Sequence, residues 1–228
     1  LYNFGLVPNK EMIDVRVSHG MILGSDNQKM SKSKGNVINP DDIVNEYGAD
    51  TLRTYEMFMG DYEQDAPWST DSLRGCKRFI EKVIRLKEKV NQEKGYSKDL
   101  EMVQNQSIKK IENDLQTLRF NTAVSQLMIL SNAYDSKKTI TKDDYRLLLI
   151  LLNPIAPHIT EELNEQLGFD KIVNAKWPKY DETKLVGNEV EIGVQVNGKL
   201  RGSIKVSNET TEDEIIKLAL ENENVKRY

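Results

Sequence analysis

Thiols and imidazoles are scarce in this 228-residue sequence, where Cys76 is the one cysteine and His19 and His158 are the two histidines. One thiol closes no disulfide, and neither a CxxC pair nor an HExxH run occurs, so a disulfide framework is excluded and no metal site is expected. No apolar run approaches the ~18 residues that a membrane helix needs. Surplus positive charge is lacking too. Lys and Arg number 32 against 36 Asp and Glu, a net −4, so a nucleic-acid partner must be held by local basic stripes and not by net charge. The chain opens at Leu1 with neither an initiator Met nor the charged, apolar, small-residue order of a secretory signal. It reads as a piece of a longer cytoplasmic protein. At 38% hydrophobic and 30% charged residues, what remains is a chain with thick polar faces, long enough for one large domain or two modest ones at roughly 150 residues each.

Residues 1–69 are irregular, because Pro8, Gly20, Gly24, Gly35, Pro40, Gly48 and Gly60 cut apolar patches such as Met21-Ile22-Leu23 into short pieces. Within them, Asn39-Pro40-Asp41-Asp42 predicts a helix start, with a cap, a proline in the first turn and acids at the positive end of the dipole, and Gly48 closes it. A second short helix is expected over 50–59. From Ser72 to about Gln92, Leu73, Cys76, Ile80, Val83 and Val90 recur at helical spacing. Further helices are predicted over 100–119, 121–135 and 142–153, and from Pro157 to just before Gly168, which makes residues 70–170 a helical bundle. Residues 171–187 lose all periodicity and read as a linker.

After residue 187 the period becomes two. Val190, Ile192, Val194 and Val196 alternate with Glu189, Glu191, Gly193 and Gln195, and Leu200, Ile204 and Val206 with Lys199, Arg201, Ser203 and Lys205. Asn197-Gly198 between them signals a hairpin. A two-residue loop would put Val194 opposite Arg201, so a three-residue loop, Val196-Asn197-Gly198 with a bulge at Gly198, is expected, setting Gln195 against Lys199 and Glu189 against Lys205. An acidic helix over 211–222 follows. The fold class expected is mainly α: an irregular α/β segment, a bundle, and a small α+β C-terminal domain (188–228) built on a hairpin.

The densest chemical signal is Lys29-Met30-Ser31-Lys32-Ser33-Lys34-Gly35-Asn36, three lysines among small residues with no acid in the run. Phosphate is the natural partner, since lysine offers a mobile point charge and small residues let backbone amides approach oxygens. Neither GxxxxGK[ST] nor GxGxxG is present. Taken alone, the run is equally a solvated basic turn.

Residues 29–33 are, however, letter for letter the KMSKS motif of the class I aminoacyl-tRNA synthetases. The continuation KMSKSKGNVINPDDIVNEYGADTLRTYEMFMG resembles the segment that follows this motif in the leucyl, isoleucyl and valyl enzymes, and KSKGN, RTYEMFMG and Trp68 lean towards the leucyl branch. Pro157-His158-Ile159-Thr160-Glu161-Glu162-Leu163 resembles the end of that group's anticodon-binding domain. Val194-Gln195-Val196-Asn197-Gly198-Lys199-Leu200-Arg201-Gly202 is similar to the small C-terminal domain of bacterial-type leucyl members. The resemblance implies ATP-dependent attachment of leucine to tRNA(Leu), with Lys29 and Lys32 acting on the phosphates and Met30, Ser31 and Ser33 completing the ATP loop, ATP carrying its Mg2+ through the phosphates. Isoleucyl or valyl specificity, and a stand-alone RNA-binding adaptor, are the alternatives. The family's HIGH signature and editing domain have no match here. By itself the chain is therefore expected to make no adenylate and to hold no cofactor, to behave as a monomer, and to end in a shortened C-terminal domain.

Charge supplies the RNA-facing candidates. Arg74, Arg78, Lys82, Arg85 and Lys89 fall at steps of four, four, three and four, one stripe opposite the apolar face, and Lys199, Arg201 and Lys205 share a face of the hairpin. Each stripe is also readable as a solvated face. Trp68 and Trp177 are better candidates for packing than for base stacking, His19 reads as a loop residue, and His158 as a helix-start residue.

Overall fold

Gly20 stands where two stretches of backbone almost touch: a Cβ there would lie 2.0 Å from the carbonyl oxygen of Gln64. That approach lets β1 (Ile22–Leu23) run parallel to β2 (Ala66–Pro67), with Ile22 opposite Ala66 and Leu23 opposite Pro67. The computed structural model describes residues 1–11, 13, 15–185, 189–196, 198–207, 210–222 and 224–226, and for 189–191, 199–200 and 205–207 the backbone alone. Between the two strands lie the lysine run and helices α1 (Pro40–Tyr47) and α2 (Ala49–Phe58). The predicted start of α1 is as read: the Asn39 side chain accepts from the Asp41 N–H at 3.2 Å, Pro40 occupies the first turn, and Gly48 at φ +91° ends it. Leu52, Tyr55, Trp68, Leu73 and Cys76 form a small core beneath these helices. Tyr55 and Trp68 meet edge to face at 4.8 Å, and the Tyr55 hydroxyl accepts the Ser69 N–H at 2.7 Å. Burial pushes the Cys76 thiol up to about 11, which leaves it protonated and inert.

Five helices make the bundle: α3 (Thr70–Leu86), α4 (Glu101–Gln116), α5 (Phe120–Asp135), α6 (Lys142–Leu152) and α7 (Pro157–Gln166). α3 buries Leu73, Cys76, Phe79, Ile80, Val83 and Leu86 at the spacing read from sequence, and its Ser69 cap accepts the Ser72 N–H. α6 is apolar around most of its circumference, with Leu147, Leu148, Leu149, Leu151 and Leu152 all buried, the mark of a central helix. Each such side chain contributes roughly 1.5–3 kcal/mol on leaving water. Its first turn carries a second device. Asp144, fully buried, takes the N–H groups of Thr141 and Ser97, the Ser97 hydroxyl and the Gln104 amide, so a carboxylate without a counter-charge is satisfied by four donors and locks the 91–99 loop to α6.

Residues 171–185, expected as a linker, lie along the bundle. Ile172 joins its core, Trp177 and Tyr180 pack on it, and Glu161 accepts the N–H groups of Ile172 and Val173. Lys109 pairs with Glu182, Lys184 with Glu101, and the Asp181 N–H reaches Asn105. The loss of periodicity reflects a segment held by irregular side-chain contacts, not a free one. Gly187 of that stretch lies outside the described residues.

The C-terminal hairpin, β3 (Glu189–Val196) and β4 (Lys199–Ser207), forms as expected but in another register. Val196 pairs with Lys199, Gln195 with Leu200 and Val194 with Gly202, so Arg201 is the extra residue of a bulge. The expected three-residue loop, with Gln195 against Lys199 and Glu189 against Lys205, is therefore corrected: Glu189 faces Ser207 and Glu191 faces Lys205. The physical demand was the same, to keep the alternating apolar residues of the two strands on one face, and one surplus residue inside β4 restores it beyond the bulge by setting Ile192 opposite Ile204 and Val190 opposite Val206, where the longer loop would have set Val190 opposite Ile204. Gly198 has the positive φ (+74°) read for it, while Asn197 lies outside the described residues. α8 (Glu212–Glu221) opens with a Thr211–Glu214 capping box, and the turn after it seats Asn222 and Val225 over Gly202, where a Cβ would stand 3.0 Å from Asn222 Oδ1.

Candidate phosphate loop and nucleic-acid interface

The lysine run is a loop with a fixed frame and free cations. Asn36 is the hinge of the frame: its Oδ1 accepts the Ser31 N–H at 2.9 Å, and its Nδ2 lies 3.2 Å from both Asp26 carboxylate oxygens. The Gln28 N–H and the Asn36 amide hold the Asp26 carboxyl below the ordinary aspartate range. Ser31 caps a single 3-10 turn, Lys32–Lys34, its Oγ accepting the Lys34 N–H and lying 3.1 Å from Ser33 Oγ, and Gly35 closes the turn at φ +67°. Met30 turns its side chain to the small core beside Ile38 and Ile43. Grouped with the ATP contacts by resemblance, it serves here as the anchor from which the loop projects. Lys34 is occupied by Gln28 Oε1 at 2.6 Å. Among the described residues, the ammonium groups of Lys29 and Lys32 have no hydrogen-bond or ion-pair partner, and both residues are exposed. Two uncompensated cations on a backbone pinned at both ends can meet an anion without first breaking an ion pair.

The α3 stripe is different. Lys82 donates to Asn132 Oδ1, and Lys89 to both the carboxylate (2.7 Å) and the backbone carbonyl of Asp135, at the end of α5, where helix carbonyls attract cations. Lys89 holds the Asp135 carboxyl below its ordinary range, with Lys82 and Arg85 adding to the effect. Arg74 pairs with Asp71 at 3.3 Å on a fully exposed face. Arg78 and Arg85 are exposed and, among the described residues, neither hydrogen-bonded nor ion-paired. The structure thus brings Arg74, Arg78, Lys82 and Arg85 to one helix, places Lys89 in the 3-10 turn (Lys87–Lys89) that follows it, and ties Lys82 and Lys89 to α5. On the hairpin, Arg201 is the half-buried bulge residue, and because the bulge interrupts the alternation, Lys199, paired with Val196, and Lys205, paired with Glu191, occupy register positions of opposite faces and not the one face expected; the side chains of both lie outside the described residues.

Trp68 is buried and Trp177 half-buried, both as packing residues. His19 is an exposed loop residue whose Nδ1 donates to the Gly20 carbonyl at 2.6 Å. His158 opens α7 as read, yet its Nδ1 lies 2.7 Å from Asp50 Oδ1. Sequence reasoning missed that partner, which lies more than a hundred residues away in sequence and leaves no local signal. No group of three His, Cys, Asp or Glu placed to hold a metal occurs among the described residues, and none of their helices is long and apolar enough to cross a membrane.

Residues 97–216, more than half of the chain, match the family described as the anticodon-binding domain of tRNA ligase, and residues 4–69 match class I tRNA synthetases (I, L, M and V). Over 216 residues the chain is 50% identical to the leucine–tRNA ligase of Alkaliphilus oremlandii (strain OhILAs), a match covering 94% of this chain and 27% of that protein. The chain thus spans about a quarter of that relative's length. Among solved structures it superposes on a LeuRS–tRNA–LeuAMS ternary complex from Agrobacterium radiobacter K84 (agnB2) with a TM-score of 0.73 at 27% identity, over 92% of this chain and 30% of that one. The Mycobacterium tuberculosis methionyl-tRNA synthetase bound by methionyl-adenylate shares the fold over 67% of this chain and 38% of its own, with a TM-score of 0.53 at 15% identity.

Proposed function

We propose, on the premise that the chain belongs to the tRNA-ligase family whose anticodon-binding domain makes up more than half of it, that it is part of a cytoplasmic, monomeric leucine–tRNA ligase and carries that enzyme's phosphate loop and a tRNA-binding surface. The observation that carries the reading is the pair of unpartnered ammonium groups, Lys29 and Lys32, on a loop pinned by Asn36 and Met30. In the reaction, a leucine carboxylate oxygen attacks the α-phosphorus of ATP, the bond to the bridging oxygen breaks, and pyrophosphate leaves from leucyl-adenylate. A hydroxyl at the tRNA terminus then attacks the leucyl carbonyl and AMP departs. Lys32 and Lys29 meet the charge that grows on the leaving pyrophosphate, and preorganised cations stabilise that charge more than they stabilise bound ATP. A magnesium ion bound through the phosphates of ATP would supply further charge neutralisation there.

Arg78 and Arg85 follow the tRNA backbone, with Arg74 beside them, and Lys199, Arg201 and Lys205 of the hairpin supply a second contact. Such contacts position RNA without reading its sequence. The test is leucine-dependent ATP–pyrophosphate exchange and tRNA charging by the complete ligase that contains this segment, offered leucine, isoleucine and valine. A preference for isoleucine or valine overturns the leucine assignment, and an unimpaired Lys32→Ala enzyme overturns the role of the loop. The chain by itself forms no adenylate in this reading, because adenine, ribose and leucine must be held against the loop by other parts of the enzyme.

A further inference from the structure

The corner between α6 and α7 is bonded on both its donor and its acceptor side by one other helix, α2. Arg53 Nε donates to the Ile155 carbonyl at 2.8 Å and Arg53 Nη2 to the Pro154 carbonyl at 3.2 Å, acceptors left over where α6 ends. Asp50 Oδ2 accepts the Ile159 N–H at 2.6 Å, while Oδ1 takes His158 Nδ1 at 2.7 Å. α7 starts at Pro157 with no side-chain cap of its own, so Asp50, only 7% exposed, caps it from more than a hundred residues away in sequence. Asp50 is itself held by the α2 frame, where Thr54 Oγ1 donates to the Asp50 carbonyl at 2.7 Å.

What stands on either side of this clamp gives it a function. α2 is joined through Gly48 to α1, and α1 follows the lysine loop after three residues, with Met30, Ile38, Ile43 and Tyr47 packed on the core that α2 shares. The loop, α1 and α2 therefore form one unit, and it meets the bundle that bears Arg78 and Arg85 through Leu73 and Cys76 of α3 as well as through this corner. Packing on α3 sets one contact between them, and the two carbonyls and two N–H donors bonded by Asp50 and Arg53 pin the α6–α7 end of the bundle to α2, which leaves a single angle.

We infer that Asp50 and Arg53 are positioning residues which set where a tRNA held on the bundle lies relative to the phosphate loop. The inference rests on the ligase reading above. Adenylate formation requires the loop, ATP and leucine, but not the bundle. Transfer to tRNA requires both units at the correct angle, and a misplacement of about an ångström costs on the order of 10²-fold. Opening the clamp should therefore separate the two half-reactions.

The experiment uses the complete ligase with Asp50→Ala, Asp50→Asn, Arg53→Gln and Arg53→Lys, and reads pyrophosphate exchange, kcat and KM for charging, and thermal melting. Asp50→Ala and Arg53→Gln are expected to leave exchange within about twofold and to lower charging kcat by on the order of 10²-fold, with KM for tRNA nearly unchanged. Asp50→Asn keeps an acceptor for the Ile159 N–H and should recover most of the loss. Exchange and charging falling together, or charging unaffected in a folded Asp50→Ala enzyme, overturns the inference. Should Asp50→Ala not fold, the presence or absence of the same split in Arg53→Gln decides. A wild-type enzyme without leucine-dependent exchange overturns the ligase reading itself, whereas normal wild-type activity with an unaffected clamp variant overturns the clamp alone.

Discussion

The lysine loop and the basic face of α3 carry the same kind of charge to opposite ends. In the loop, acceptors are spent on the frame, with Asn36 and Asp26 bonding backbone and amide while Lys29 and Lys32 are left without partners among the described residues. On α3 and the turn after it, the acceptors at the end of α5 take Lys82 and Lys89 and, among the described residues, leave Arg78 and Arg85. A cation already paired must be released before it can serve an anion, and that release cancels most of the new contact. Counting charges on a face therefore overstates its capacity for phosphate, and the count must be made after the internal partners are removed.

The comparison is put at greatest risk by Lys32→Ala. In the complete ligase, leucine-dependent pyrophosphate exchange should fall by roughly 10²–10³-fold, while Lys82→Ala should leave it within about twofold; equal effects would abolish the distinction between free and occupied lysines. Next in size is RNA affinity. Reversing charge at Arg78 and Arg85 together should weaken tRNA binding about tenfold near physiological salt and reduce the slope of log affinity against log salt by about two, as a salt titration of filter binding would read. Lys82→Ala and Lys89→Ala should each change the slope by less than one, and a larger change would show that both lysines leave α5 when RNA arrives. Lys89→Ala should instead appear in stability, lowering it by no more than about 0.5 kcal/mol by denaturant titration because the pair is partly solvent-exposed.

The smallest effect is on pH dependence. Asp26 and Asp135 have their folded values lowered from 3.8, Asp26 by the Gln28 N–H and Asp135 by Lys89. Their stabilising contributions are in place above the unfolded value and are lost as pH falls through the folded ones. Carboxyl chemical shifts followed by NMR should show both titrating below 3.8, and a normal value for Asp135 in wild type would show that Lys89 is not held there in solution.

How much of this was legible follows the range of the forces involved. The start of α1 at Asn39-Pro40 and the buried face of α3 are local, fixed by caps and by three- and four-residue spacing, and they stand where they were read. The KMSKS run was legible as phosphate chemistry because its small residues and lysines are contiguous. The fate of Lys82 and Lys89 depended on Asn132 and Asp135, some fifty residues away, and nothing in the spacing on α3 announces them. The same holds for Asp50, whose partners come from a corner more than a hundred residues later, and for residues 171–185, whose contacts have no period to detect. In the hairpin the alternation established the two strands and the turn between them, but neither which residues face one another nor where the surplus residue is placed.

That placement bears on how the chain tolerates change in length. With Arg201 as the one residue of β4 that has no opposite number, it is the position in that strand whose deletion preserves both the turn pairing, Val196 with Lys199, and the distal pairing, Ile192 with Ile204. Loss of a residue elsewhere on the strand, Ser203 for instance, would reverse the facing of every position between the gap and the bulge or force the bulge to migrate. Length variants of this hairpin should therefore survive when the gap falls at 201 and fail on either side of it, so the strand has a single seam along which evolution, or an engineer, can shorten it.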